Sequence, residues 1–114
     1  MGEQLKLIDA IWMATNIEAE MTNCNKRKVG CTIFNLATNQ IVAVGHNWHE
    51  NGICDCIPGP STAKHSEIVA IDSIDATDVN FNKDECIALV NRKPCDVCNK
   101  ALNKVVYEVR YRQE

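Results

Sequence analysis

Two short runs of this sequence carry the residue types of a metal reaction centre: His65-Ser66-Glu67 and Pro94-Cys95-Asp96-Val97-Cys98. A Cys-x-x-Cys pair spans one helical turn and sends both sulfurs to the same side. If each run heads a helix, the unpaired amides and the positive end of the helix dipole favour the thiolate forms that bind metal. His65 adds an imidazole to the two thiolates of Cys95 and Cys98. Three protein ligands with one place left open distinguish a catalytic zinc from a structural one. Two thiolates also offset the metal's charge, so water there is less acidic than on an all-histidine zinc and needs a neighbouring base. Glu67 is that base: two residues from His65, it lies about 200° around a helix, beside the ligand set and outside it. A redox pair is the competing reading of Cys95 and Cys98, and a core or capping histidine that of His65. Neither accounts for both runs together with Glu67, and the joint pattern decides for a reaction site.

Such runs need elements to hold them. Leu5, Ile8, Ile11, Trp12, Thr15 and Ala19 recur at intervals of three and four, which predicts an amphipathic helix over 3–21. Stretches 29–36 and 41–45 are short and rich in β-branched residues, and joined by Ala37-Thr38-Asn39-Gln40 they predict an antiparallel hairpin. The stretch 47–63 has no sustained apolar period and holds Gly52, Pro58, Gly59 and Pro60, the mark of a long functional loop. Ile68, Val69, Ile71 and Ile74 restore a helical spacing that ends near 75–78, and 85–91 has strand character. Pro94 opens a helix expected to bury Val97, Ala101 and Leu102, and 104–109 reads as a last strand. The order αββαβαβ implies an α/β layered fold with a mixed sheet, in a single domain over 1–114.

Size and composition agree with this. The chain has 114 residues, 46% of them hydrophobic and 24% charged, which excludes disordered, collagen-like and supercharged classes. Twelve Lys and Arg against fifteen Asp and Glu leave a net charge of −3, the wrong sign for wholesale binding to polymeric nucleic acid. No apolar run approaches the roughly 18–20 residues of a membrane span. Glu3 and Asp9 stand where a signal peptide would place positive charge, so a cytoplasmic protein is expected. Seven cysteines, an odd number without an export signal, argue against a disulfide framework and for metal or catalytic use.

His-x-Glu together with Pro-Cys-x-x-Cys resembles the signature of the zinc-dependent cytidine and deoxycytidylate deaminase superfamily. Within it the chain looks most like the deoxycytidylate deaminases, including those carried by bacteriophages. Lys28-Val29-Gly30, Gly45-His46-Asn47 and the segment from Val105-Val106-Tyr107 to Tyr111 fall where that family has similar segments. The resemblance implies a three-layer α/β/α domain with one catalytic zinc on His65, Cys95 and Cys98. It implies hydrolytic deamination of dCMP to dUMP with release of ammonia, Glu67 taking the water's proton and delivering protons to the ring nitrogen and the departing amine.

From the family, Asn47 becomes a sugar contact and Lys28, within the basic run Lys26-Arg27-Lys28, a phosphate contact. Tyr111, flanked by Arg110 and Arg112, is expected to close over the base or phosphate. Lys93 before the proline departs from the small hydroxyl residue more common there, which alters the pocket rim. The chain stops soon after the strand near Tyr107, so an exposed sheet edge is expected, and a homo-oligomer whose neighbours complete the site wall. Some phage deoxycytidylate deaminases carry a second, structural zinc, which here would use Cys24, Cys54 and Cys56 with His49 or His46. Cys31 and Cys86 lie in strand-like segments and are assigned to the core. The competing functions are deamination of another free base or nucleotide (cytidine, dCTP, a modified dCMP or a purine) and a silent module that binds zinc or nucleotide.

Overall fold

Two short stretches, 30–35 and 86–90, carry no charge and are largely apolar on both faces, the pattern of strands inside a sheet covered from two sides. The computed structural model, which describes residues 2–24, 27–49 and 64–112, places them there as β1 (Gly30–Asn35) and β3 (Cys86–Val90), with every residue buried. The remaining elements are α1 (Gly2–Glu20), β2 (Gln40–His46), α2 (Ser66–Asp72), α3 (Asp96–Leu102) and β4 (Glu108–Tyr111), with a 3-10 turn over Lys83–Glu85 before β3. This is the expected αββαβαβ order. The four-stranded sheet runs β2-β1-β3-β4; β1 is antiparallel to both neighbours and β3 is parallel to β4, so the sheet is mixed.

The alternation of strand side chains builds two cores. Cys31 and Ile33 of β1 and Cys86, Ala88 and Val90 of β3 pack with Ala70 of α2 and Leu102 of α3. Phe34, Ile87 and Leu89 point the other way and pack on Ile11 and Trp12 of α1. The three layers, and the core placement of Cys31 and Cys86, match the expectation.

Two glycines set how closely the helices approach. A Cβ on Gly30 would lie 2.3 Å from the Thr15 carbonyl oxygen of α1, and one on Gly45 would lie 2.4 Å from the Ala70 nitrogen of α2. Thr15 is polar in this tight contact, yet its hydroxyl lies 2.8 Å from the Ile11 carbonyl and 2.7 Å from the Thr32 hydroxyl, so nothing polar is buried at a loss there. In the hairpin turn, Asn35 Oδ1 accepts from the Ala37 and Thr38 amides, and Asn39 takes the left-handed conformation (φ 59°) that asparagine tolerates.

Two local expectations are corrected. Val97 is 74% exposed, because the buried face of α3 is set by Cys98 and Leu102, one turn apart, and Val97 lies about 100° from Cys98. The last strand begins at Glu108 rather than at 104. The amides of Lys104, Val105 and Val106 turn back onto the Ala101 and Leu102 carbonyls, and Val106 enters the core from that turn. Of the long loop, Trp48 and Lys64 exchange backbone hydrogen bonds of 2.9 and 2.7 Å at its base. Among the described residues no helix is long and apolar enough to cross a membrane.

Candidate functional site

His65 and Cys95 each occupy the extended residue that immediately precedes a helix, His65 before α2 and Cys95 before α3. Cys98 follows one turn into α3, on its buried face. The two helices lie on the same side of the sheet and touch, which brings together residues thirty positions apart. His65 Nδ1 lies 3.2 Å from Cys98 Sγ and 3.8 Å from Cys95 Sγ, and one donor atom from each residue falls within 4.8 Å of the others. His65 and Cys95 face solvent while Cys98 is buried, so the cluster opens outward.

Glu67 sits in the first turn of α2, 4% exposed, its Oε1 accepting a 2.7 Å hydrogen bond from the Ser66 hydroxyl. It is not one of the three residues of the donor group. Burial pushes the Cys98 thiol well up, and the negative charge of Glu67 and then the neighbouring Cys95 push it further. Cys31, on β1, is raised by burial, by Glu67 and by Cys98 in that order. The pocket therefore concentrates groups that become anions, and a divalent cation is the species that would let the thiols ionise together. Two sulfurs and one imidazole suit zinc in donor type and number. Among the described residues this is the one cluster of three or more such side chains gathered closely enough for a metal.

The other expected residues lie as follows. Asn47 is buried just past β2, its side chain bonded to the Val29 amide (3.1 Å) and the Arg27 carbonyl (3.0 Å). The Lys28 ammonium is exposed and pairs with Glu20 at 2.8 Å. Tyr111 lies in β4 opposite Val90 and is exposed. Arg110 forks onto Glu108, and Arg112 stacks 4.4 Å above the Trp12 ring.

Of the residues considered for a second metal, Cys24 is buried and His46 Nδ1 lies 2.5 Å from a Glu18 oxygen. His49 is buried, its backbone exchanging hydrogen bonds with the Asn23 side chain. Cys54 and Cys56 lie outside the described residues.

One residue was missed. Asn91, at the end of β3, accepts from the Gly30 amide at 2.8 Å and donates to the Lys28 carbonyl at 3.1 Å. Its partners stand more than sixty positions away, and no local spacing announces such a pairing.

A family model for the cytidine and deoxycytidylate deaminase zinc-binding region matches residues 6–111. Among solved structures, the dCMP deaminase of the cyanophage S-TIM5 in apo form superposes with a TM-score of 0.74 at 23% identity, covering 93% of this chain and 82% of that one. The same enzyme in complex with dCMP and dUMP gives 0.75 at 23% identity, covering 96% and 82%. Acinetobacter baumannii RibD gives 0.66 at 20% identity, with 94% of this chain matching only 28% of that one. At these identities the structural likeness is one of fold. No curated protein sequence matches the chain.

Proposed function

The chain belongs to the cytidine and deoxycytidylate deaminase zinc-binding family, and from that footing we propose that it hydrolyses dCMP to dUMP and ammonia. The observation that carries this reading is the convergence of His65, Cys95 and Cys98 beside the buried carboxylate of Glu67. When bound by those three side chains, zinc supplies a Lewis acid that makes water a competent nucleophile near neutral pH.

Glu67 does the proton work. It takes a proton from water as the oxygen bonds to the ring carbon bearing the amine, and delivers that proton to the adjacent ring nitrogen. A second proton passes from the oxygen through Glu67 to the amine. The carbon–nitrogen bond breaks, a carbonyl remains, and ammonia leaves with Glu67 in its starting state. The Ser66 hydroxyl holds one carboxylate oxygen, which leaves the other free to turn toward the reacting atoms.

Asn47 is assigned to the sugar, Tyr111 to the base or phosphate, and Lys28 to the phosphate. Lys28 would exchange the Glu20 carboxylate for the nucleotide, and an exposed pair of this kind is worth little to break. The fold likeness to a dCMP deaminase whose complex holds dCMP and dUMP supports this choice of substrate. The reading further includes a single domain working as a homo-oligomer in the cytoplasm, and a structural zinc held by Cys24, Cys54, Cys56 and His49.

The test is ammonia release by zinc-loaded protein from dCMP, with deoxycytidine, CMP, dCTP and dAMP alongside. The expected result is turnover of dCMP above the others. Glu67→Ala should keep its catalytic zinc while losing about 10²- to 10⁴-fold in kcat. Metal analysis of the same samples distinguishes one zinc per chain from two. Turnover of another substrate alone would overturn the pocket assignment, and silence across the panel with zinc bound would overturn the enzymatic reading.

A further inference from the structure

Before β1 begins, residues 27–29 belong to no strand, yet two buried asparagine side chains grip the peptide groups from 27 to 30 in alternation. Asn47, just past β2, accepts from the Val29 amide and donates to the Arg27 carbonyl. Asn91, just past β3, accepts from the Gly30 amide and donates to the Lys28 carbonyl. The backbone amides of the same two asparagines complete the set, donating to the Val29 carbonyl at 3.1 Å and the Gly30 carbonyl at 3.3 Å. A carboxamide is suited to this, since it offers an acceptor and a donor at the spacing of a peptide group. β2 and β3 flank β1 in the sheet, so the two side chains carry the ladder past the end of β1 from both sides.

Asn91 also stands at the head of the run that leads through Arg92, Lys93 and Pro94 to Cys95. It therefore joins two features by one side chain: the turn that presents Cys95, and the ledge from which Arg27 and Lys28 extend. We infer that Asn91 is a positioning residue for the phosphate end of the substrate, holding the Arg27–Lys28 ledge in register with the Cys95 turn. This deepens the proposed dCMP reading and rests on it for the identity of the anion. The Lys28 ammonium is an exposed point charge on a flexible stem, so the fixed part of such a subsite has to be the backbone beneath it.

The experiment compares zinc-loaded wild type, Asn91→Ala and Asn91→Thr in steady-state turnover of dCMP and deoxycytidine, and in calorimetric binding of the products dUMP and deoxyuridine. Thr returns one hydroxyl that can accept from Gly30 and donate to Lys28, and it keeps the test available where the alanine variant does not fold.

With Asn91→Ala, KM for dCMP is expected to rise about tenfold, the size of a lost pair of buried hydrogen bonds, while kcat, the deoxycytidine KM and zinc content hold. The preference for dUMP over deoxyuridine should shrink by the same factor, and Asn91→Thr should recover part of both. Equal loss on nucleoside and nucleotide, or a fall in kcat with KM unchanged, would make Asn91 merely structural and overturn the inference. If wild type deaminates neither substrate, the proposed reaction fails on its own. The inference then stands on a dUMP preference that Asn91→Ala removes, and falls if wild type shows no such preference.

Discussion

Glu67, Cys98 and Cys31 crowd acidic groups into one buried pocket, and the cost of ionising them falls on the folded state. Burial is the main cause for both thiols, with Glu67 the second. A thiol raised in the folded protein stays protonated there after the unfolded chain has released its proton. Its stabilising effect is therefore complete below the ordinary thiol value, near about 8.5, and is lost as pH climbs above it toward the raised value. Metal-free protein should accordingly show a falling melting temperature from about pH 8.5 upward. Glu67→Gln, which removes a negative neighbour from both thiols, should make that fall shallower. Melts from pH 7 to 10 in the presence of a chelator would check this, and a flat profile would contradict it. Glu67 and Cys98 belong to the most legible part of the sequence, because His65 with Glu67 and Cys95 with Cys98 declare themselves through spacings of two and three, whereas Cys31 reads only as a core residue. Asn91 was invisible for the opposite reason: its meaning lies in Gly30 and Lys28, which only the sheet brings near.

At the scale of elements, α2 is placed by an absence of side chain. The Cβ that Gly45 lacks would meet the Ala70 nitrogen at 2.4 Å and the Ser66 carbonyl oxygen at 2.5 Å, both of them backbone atoms unable to swing aside. Gly45→Ala must push α2 off the sheet, and that helix carries Glu67 with His65 at its head. A loss of about 1–3 kcal/mol in denaturant unfolding is expected, together with reduced turnover at unchanged protein concentration. Full activity in a destabilised variant would separate helix position from the site. Element types were readable because β1 and β3 are short, uncharged and largely apolar while α1 repeats at three and four. Where the reading slipped, tertiary structure outweighed local hydrophobicity: Val97 yields the interior to Cys98 and Leu102, and Val105 and Val106 close a turn that β-branched residues alone would suggest as strand.

For the whole molecule, several large apolar side chains stand exposed at the surface. Met13, Ile17 and Met21 follow one another at four-residue intervals along the outer side of α1 and its end, 62–66% exposed. Val44 and Ile41 of the edge strand β2 pair with Thr32 and Phe34, which face α1, so their exposed side chains lie on the same side of the sheet as that helix. Apolar surface gathered on one side in this way is typical of an interface, and a C2 pair would bury it against itself. Light scattering should give a mass that is a multiple of 12.7 kDa, and Met13→Glu combined with Ile17→Glu should lower it toward that of one chain. A single-chain mass for the wild type at every concentration would refute self-association.

The order in which the sheet is assembled carries a consequence for the making of the protein. β1 lies between β2, which follows it directly, and β3, whose Cys86 pairs with Asn35 and whose Val90 pairs with Cys31. At ordinary translation speeds the interval between the emergence of His46 and that of Val90 is about 2–9 s. Throughout it the hairpin exists with a bare inner edge, and the face opposite α1 stays open until α2 has emerged within that interval and α3 after it. The other face already has its cover, because α1 is synthesised first. Helix α1 thus guards the nascent hairpin before it supports the finished sheet, and damage to it would be felt as lost yield from the ribosome as well as lost stability in the purified protein.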